Sequence, residues 1–245
     1  MKEKREYLKN LKPESLMMSY GYKPEWSEGS VKSPIFQTST FTFKSAEIGK
    51  AHFELAYGKR TLGPGEEPGL VYTRINNPDI EILEDRLCLW DGAEGCAAFA
   101  SGMAAISTTL MEFLNPGDLV LFSEPLYGGT EHFLREFLPK MGVEAVSFLP
   151  GQTAPDLRAI LKQSGKADKL AMIYFESPAN PTNDLIDIAM VVQLAKEYSA
   201  KDRRVLTVID NTFLGPLFSQ PLKLGVDLVI YSATKYIGGH SDVIA

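Results

Sequence analysis

The sequence predicts an α/β protein: a mostly parallel sheet with helices on both faces. Two observations carry this. Short, continuous apolar runs recur between residues 96 and 231, and an unbroken run of β-branched and aliphatic residues suits a strand covered on both sides. Between these runs lie stretches whose apolar residues fall at helical spacing, and strands alternating with helices imply crossovers of one hand and parallel pairing. In folds of this kind the chemistry sits beyond the carboxyl ends of the strands.

The elements follow in order. Residues 1–30 are polar and irregular, apart from Leu16-Met17-Met18, and read as an arm. Residues 31–43 are extended or edge structure, because Pro34 cannot donate to a central ladder. Residues 44–56 read as a short helix, and the Gly-, Pro- and charge-rich stretch 58–69 as an exposed loop. Ile80, Leu83, Leu87 and Trp90 mark a helix that ends at Asp91-Gly92. Cys96–Ala100 reads as a small-residue strand, and Ser101-Gly102-Met103 opens a helix running to Leu114. Strands are then expected at 119–122, 143–149, 169–175, 205–209 and 228–231. Helices are expected at 128–141, 155–163 and 188–198. The expected organisation is an arm and loop over residues 1–70, then a large domain over 71–245.

Bulk properties narrow the function classes. At 245 residues the chain can form one sizeable domain or most of two. Its hydrophobic and charged fractions, 44% and 23%, are ordinary for a globular protein. A net charge of −6, with one basic cluster between Lys2 and Lys12, argues against a nucleic-acid partner. No apolar run reaches a membrane span, and the N-terminus lacks the apolar core of a secretory signal. Two cysteines, Cys88 and Cys96, make neither a disulfide framework nor a metal site, so a cytoplasmic location is expected.

The residues that follow the strands have complementary chemistry. Ser101-Gly102-Met103, at a helix start, offers backbone N–H groups and a positive dipole end to a phosphate. Tyr127 offers a ring to stack and a phenol to move a proton. Asp210 offers a carboxylate suited to a protonated pyridine nitrogen. After the last strand comes Ser232-Ala233-Thr234-Lys235. A lysine buried there loses hydration, its pKa falls, and the neutral amine becomes a nucleophile able to form a Schiff base. Singly, Ser101, Tyr127 and Asn180 read as an empty helix start, a core aromatic and ordinary turn chemistry. Together with Asp210 and Lys235 they fit pyridoxal phosphate, whose protein partners are a Schiff-base lysine and a pyridinium carboxylate.

These motifs carry a resemblance. Phe99-Ala-Ser-Gly-Met-Ala-Ala105, Glu124-Pro-Leu-Tyr-Gly-Gly129, Tyr174-Phe-Glu-Ser-Pro-Ala-Asn-Pro181, Asp210-Asn-Thr212 and Ser232-Ala-Thr-Lys-Tyr-Ile-Gly-Gly-His-Ser-Asp242 resemble the Cys/Met-metabolism (transsulfuration) family of pyridoxal-phosphate enzymes. The resemblance implies fold type I of the pyridoxal-phosphate-dependent transferases, with the large domain of the aspartate-aminotransferase kind. It implies that Lys235 carries the cofactor and shuttles protons, that Asp210 pairs with the ring nitrogen, and that Tyr127 stacks on the ring and acts as acid or base. Ser101, Gly102, Met103, Ser232 and Thr234 would hold the phosphate, and Asn180 the phenolic oxygen. Tyr72 and Arg74 match a Tyr-x-Arg pair that reaches a neighbouring subunit's phosphate, implying a homodimer or homotetramer with shared active sites.

The implied reaction is γ-elimination or γ-replacement on a small sulfur-containing or O-acylhomoserine-type amino acid. Cystathionine β-lyase chemistry, transamination and a non-catalytic cofactor-binding remnant are the alternatives. Family members continue into a smaller C-terminal domain that supplies the arginine for the substrate's α-carboxylate. The resemblance implies that this domain and arginine are absent from the sequence ending at Ala245. Two further departures bear on substrate. Gly129 stands where the best-known methionine γ-lyases carry cysteine, and the loop over residues 57–69 is longer than expected.

Overall fold

The computed structural model describes residues 11–64, 66 and 68–245; most of the basic N-terminal segment lies outside them. The chain divides into two compact units, Met1–Ala97 and Ala98–Ala245.

The first unit is built from helices and pinned loops. A short helix α1 (Pro13–Leu16) is followed by a 3₁₀ turn, Pro24–Ser27. Helix α2 (Ala46–Ala56) starts where the Ser45 hydroxyl accepts the Ile48 N–H, and helix α3 (Pro78–Asp91) where Asn77 accepts the Asp79 N–H. These side chains satisfy amides that the first helical turn leaves unpaired. Gly92 ends α3 in the left-handed conformation, as the Asp-Gly pair predicts. Residues 31–43 form no regular strand. One antiparallel bridge joins Thr40 to Tyr72, and the Thr73 N–H bonds to the Ser39 carbonyl at 3.0 Å. The loop after α2 is tied by Arg60, whose guanidinium takes both oxygens of Glu66 at 2.8 and 2.6 Å.

The second unit is a parallel five-stranded sheet with the order β2-β1-β3-β4-β5. Its elements are α4 (Gly102–Phe113), β1 (Leu119–Ser123), α5 (Gly128–His132), β2 (Glu144–Phe148), α6 (Ala154–Gln163), β3 (Leu170–Glu176), α7 (Ile188–Tyr198), β4 (Leu206–Asp210), α8 (Gly215–Phe218) and β5 (Leu228–Ile230). Alternate strand residues serve opposite faces, as a period of two requires. Leu119, Leu121, Ile173, Phe175 and Ile209 pack with Leu157 and Leu161 of α6 and Val191, Leu194 and Ala195 of α7. Val120, Phe122, Met172, Tyr174 and Val208 pack with Ile106 and Leu110 of α4 and with Leu134 and Leu138. The sheet is therefore covered on both faces, which accounts for the unbroken apolar runs.

Three expectations change. Cys96–Ala100 belongs to none of the five strands: four of its five side chains are small and exposed, and the fifth, Phe99, is half-buried. The helix expected over 128–141 is three short pieces: α5, a π-helical turn Phe133–Phe137 and a 3₁₀ turn Leu138–Met141. Pro139 lacks the N–H that a continuing α-helix needs. Residues 215–218 and 221–224 form short helical turns the apolar pattern did not mark.

Candidate active site

The strand order places β1 beside β3 at the centre, while the chain from β1 runs outward to β2 and then returns to β3. That reversal leaves a crevice at the carboxyl ends of β1 and β3. The segments after β1, β3, β4 and β5 carry Tyr127, Asn180, Asp210–Thr212 and Ser232–Lys235.

Strand alternation places Asp210 on the face covered by α4, two residues beyond Val208. It is 6% exposed. Its Oδ1 accepts the Thr212 hydroxyl at 2.6 Å and the Thr212 N–H at 3.1 Å. Burial raises its pKa, and these two bonds oppose the rise without cancelling it. The Thr212 hydroxyl oxygen also accepts the Ser232 N–H at 2.8 Å, joining the ends of β4 and β5.

The same alternation puts Glu176, paired in register with Asp210, on that face. Glu176 is 5% exposed and is the residue that sequence reasoning passed over. Its Oε2 accepts the Tyr127 N–H at 2.6 Å and its Oε1 the Asn180 N–H at 2.8 Å. The signal was present: an acid closing an otherwise apolar strand needs a polar partner. Burial first, and the Asp210 charge second, push the Glu176 carboxyl up to about 7 against the pull of the two amides.

The helix start closes the site from the other side. The Ser101 hydroxyl caps α4 by accepting the Ala104 N–H at 3.1 Å. A methyl group at Gly102 would lie 2.9 Å from Ser232 Cβ and 3.2 Å from Ser232 Cα, so only glycine lets α4 and the β5 end approach this closely. A methyl at Gly129 would lie 2.7 Å from the Tyr127 ring and 2.9 Å from Met103 Sδ. Met103 and Tyr127 therefore share one wall.

Lys235 departs from expectation. It is exposed, in a turn where its N–H bonds to the Ser232 carbonyl at 3.0 Å and Gly239 N–H bonds to its own carbonyl at 2.8 Å. The turn lies past the last strand, β5, so Lys235 is not, as expected, buried among apolar neighbours. The Thr234 hydroxyl is engaged with the Ala245 backbone at 3.0 and 2.9 Å. Tyr72 and Arg74 belong to the first unit, both exposed, with the guanidinium 5.5 Å from the tyrosine ring. With Phe36, Thr38 and Thr73 they line an open groove of about 540 Å³.

The donor set fits pyridoxal phosphate. A buried carboxylate whose partners use one oxygen leaves the other for a cationic ring nitrogen. A capped helix start against Ser232 offers amides and a hydroxyl to a phosphate. Tyr127, 44% exposed, offers a ring face.

Comparison with known proteins agrees. The profile of the Cys/Met metabolism PLP-dependent enzymes matches residues 14–245. The chain is 40% identical over 226 residues to the L-methionine gamma-lyase of Pseudomonas putida, covering 92% of this chain and 52% of that enzyme. It is 34% identical over 234 residues to the cystathionine gamma-lyase of Bacillus subtilis, covering 96% and 54%. A Campylobacter jejuni structure assigned as O-acetylhomoserine (thiol)-lyase, with a pyridoxyl-lysine phosphate group, superposes with a TM-score of 0.80 at 30% identity. That match covers 96% of this chain and 53% of the other. The chain thus spans about half the length of the relatives it matches.

Proposed function

Since this chain belongs to the Cys/Met metabolism PLP-dependent enzymes, we propose that it forms the cofactor-binding part of an enzyme that eliminates or replaces the γ-substituent of a sulfur-containing or O-acylhomoserine-type amino acid. The observation that carries this reading is the buried Asp210 carboxylate at the strand ends, flanked by Tyr127, Asn180, Ser232 and the start of α4. Such a carboxylate is costly to bury unless a cation meets it.

Bound pyridoxal phosphate supplies the electron sink that lets protons leave the substrate's α- and β-carbons. The residues divide the remaining work. Asp210 keeps the ring nitrogen positive. Ser101, Gly102, Met103, Ser232 and Thr234 hold the phosphate, Thr234 after giving up its bonds to Ala245. Asn180 bonds the phenolic oxygen. Lys235 would hold the cofactor through Nζ and would take and give protons at that atom, and its exposed turn would give it the reach to do both. Tyr127 would cover the ring, and its phenol would give or take a proton at the amine or leaving group. Arg74 and Tyr72 serve the phosphate of a second copy in a homodimer or homotetramer, a pairing that suits a guanidinium. The substrate class is supported by the two γ-lyases above, and a cytoplasmic location by two cysteines that form no disulfide.

The test is the visible spectrum of the purified chain with pyridoxal phosphate, then borohydride reduction and peptide mapping. A label on Lys235 is the expected result, and a label elsewhere or none overturns the assignment. Product analysis with cystathionine and an O-acylhomoserine on the full-length enzyme then separates γ- from β-chemistry.

A further inference from the structure

Glu176 has no assigned contact with the cofactor, yet it holds the backbone of two residues that do. Tyr127 follows β1 and Asn180 follows β3, on segments with no ladder bond to each other. Each segment donates one backbone N–H to a different oxygen of the same carboxylate, at 2.6 and 2.8 Å. Glu176 is fixed in turn, its own N–H bonding to the buried Ser123 hydroxyl at 3.2 Å. We propose that Glu176 is a positioning residue of this site, clamping the Tyr127 and Asn180 segments by one oxygen each, with the clamp tightest when the carboxylate is ionised.

The charge dependence follows from acceptor count. An ionised carboxylate offers two equivalent oxygens, and a bond to a charged acceptor is stronger than one to a neutral carboxyl. Protonation turns one oxygen into a hydroxyl and weakens one arm. The groups that bear on Glu176 are Asp210 from β4, Tyr174 from its own strand and the Tyr127 segment. Tyr174 is wholly buried, and burial keeps its phenol neutral. Burial is the first cause that resists ionisation of Glu176 and places the change near neutrality, and the Asp210 charge adds its own opposition second. A cation on Asp210 would remove that opposition, so cofactor binding would tighten the clamp; this last step rests on the reading of the preceding section.

Amide hydrogen exchange of the cofactor-free chain tests the clamp without the cofactor. After correction for intrinsic rates, the Tyr127 and Asn180 amides should be several-fold better protected at about pH 8 than at about pH 6. In Glu176→Gln, whose amide turns an N–H₂ toward one backbone donor, protection at about pH 8 should fall roughly tenfold, with no pH step left. Amides of Leu121 and Val208 should be unchanged, which a general loss of structure would not allow. Equal protection of Tyr127 and Asn180 at both pH values in the parent chain overturns the charge-dependent clamp, and that comparison stands even if the variant fails to fold. Unchanged protection in a folded variant overturns it as well. Pyridoxal phosphate titration is the second arm: Glu176→Gln should bind roughly tenfold more weakly than the parent. A parent chain that binds no cofactor overturns the proposed function while the exchange result still decides the clamp.

Discussion

Asp210 and Glu176 lie side by side on adjacent strands, both buried, and burial lifts the pKa of each. A carboxyl whose folded pKa lies above its unfolded value binds its proton more tightly when folded. Its contribution to stability is complete below the unfolded value, 4.5 for Glu176, and is lost as the pH rises through about 7. The cofactor-free chain therefore carries an electrostatic penalty at neutral pH. Asp210→Asn should raise its melting temperature near neutral pH and much less near pH ~4.5, while weakening pyridoxal phosphate binding. Thermal melts across that range check this, and an equal shift at every pH refutes it. At the phosphate end, Gly102→Ala should lower cofactor affinity by roughly tenfold or more, since overpacking costs about 1–3 kcal/mol and the displaced atoms include Ser232 backbone. A titration followed by absorbance measures it. Asp210 and Gly102 stand out in the sequence only within the joint pattern, because singly they suit a turn cap and a helix start. Glu176 carried a signal of its own, an acid closing an apolar strand, but its partners are backbone amides, and amides leave no mark on a sequence. The exposure of Lys235 was equally hidden: the apolar run before it belongs to β5, and the turn leaves that strand's packing behind.

The strands and longer helices of the second unit match the sequence reading closely because their apolar faces meet. Helix α7 shows this best. Its bounds were read correctly, Asp187 caps it by accepting the Met190 N–H at 3.0 Å, and Val191, Leu194 and Ala195 face the core. Removing the cap with Asp187→Ala should cost about 1 kcal/mol, seen as a lower urea midpoint, and should leave pyridoxal phosphate affinity unchanged. A change in affinity would mean the helix start reports to the site. The elements that differ from the sequence reading do so for local reasons. Cys96–Ala100 is mostly small, with every side chain but Phe99 exposed, and residues 128–141 place Leu134 and Leu138 in the core although Pro139 prevents them from winding as one helix.

For the molecule as a whole, the residues assigned to the phosphate fall in both compact units. Tyr72 and Arg74 lie in the first and the rest in the second, so the sharing of sites between copies is open to direct test. Arg74→Ala and Lys235→Ala chains should each label poorly with pyridoxal phosphate and borohydride. Mixed after dissociation and reassembly, they should regain label on Lys235 of the Arg74→Ala chain. No recovery would place Arg74 and Lys235 in sites of a single copy. That pairing was legible only as a motif, because spacing along a chain does not say which copy a residue serves.

The central reversal in strand order has a kinetic consequence. Tyr127, Asn180, Asp210 and Ser232 come together through β1, β3, β4 and β5, and none of these strand pairs closes a short loop. Non-local parallel pairing is slow to form. Cofactor capture should therefore be among the last events of refolding, trailing the return of far-ultraviolet ellipticity, and pyridoxal phosphate would act as a clock for completion of the sheet.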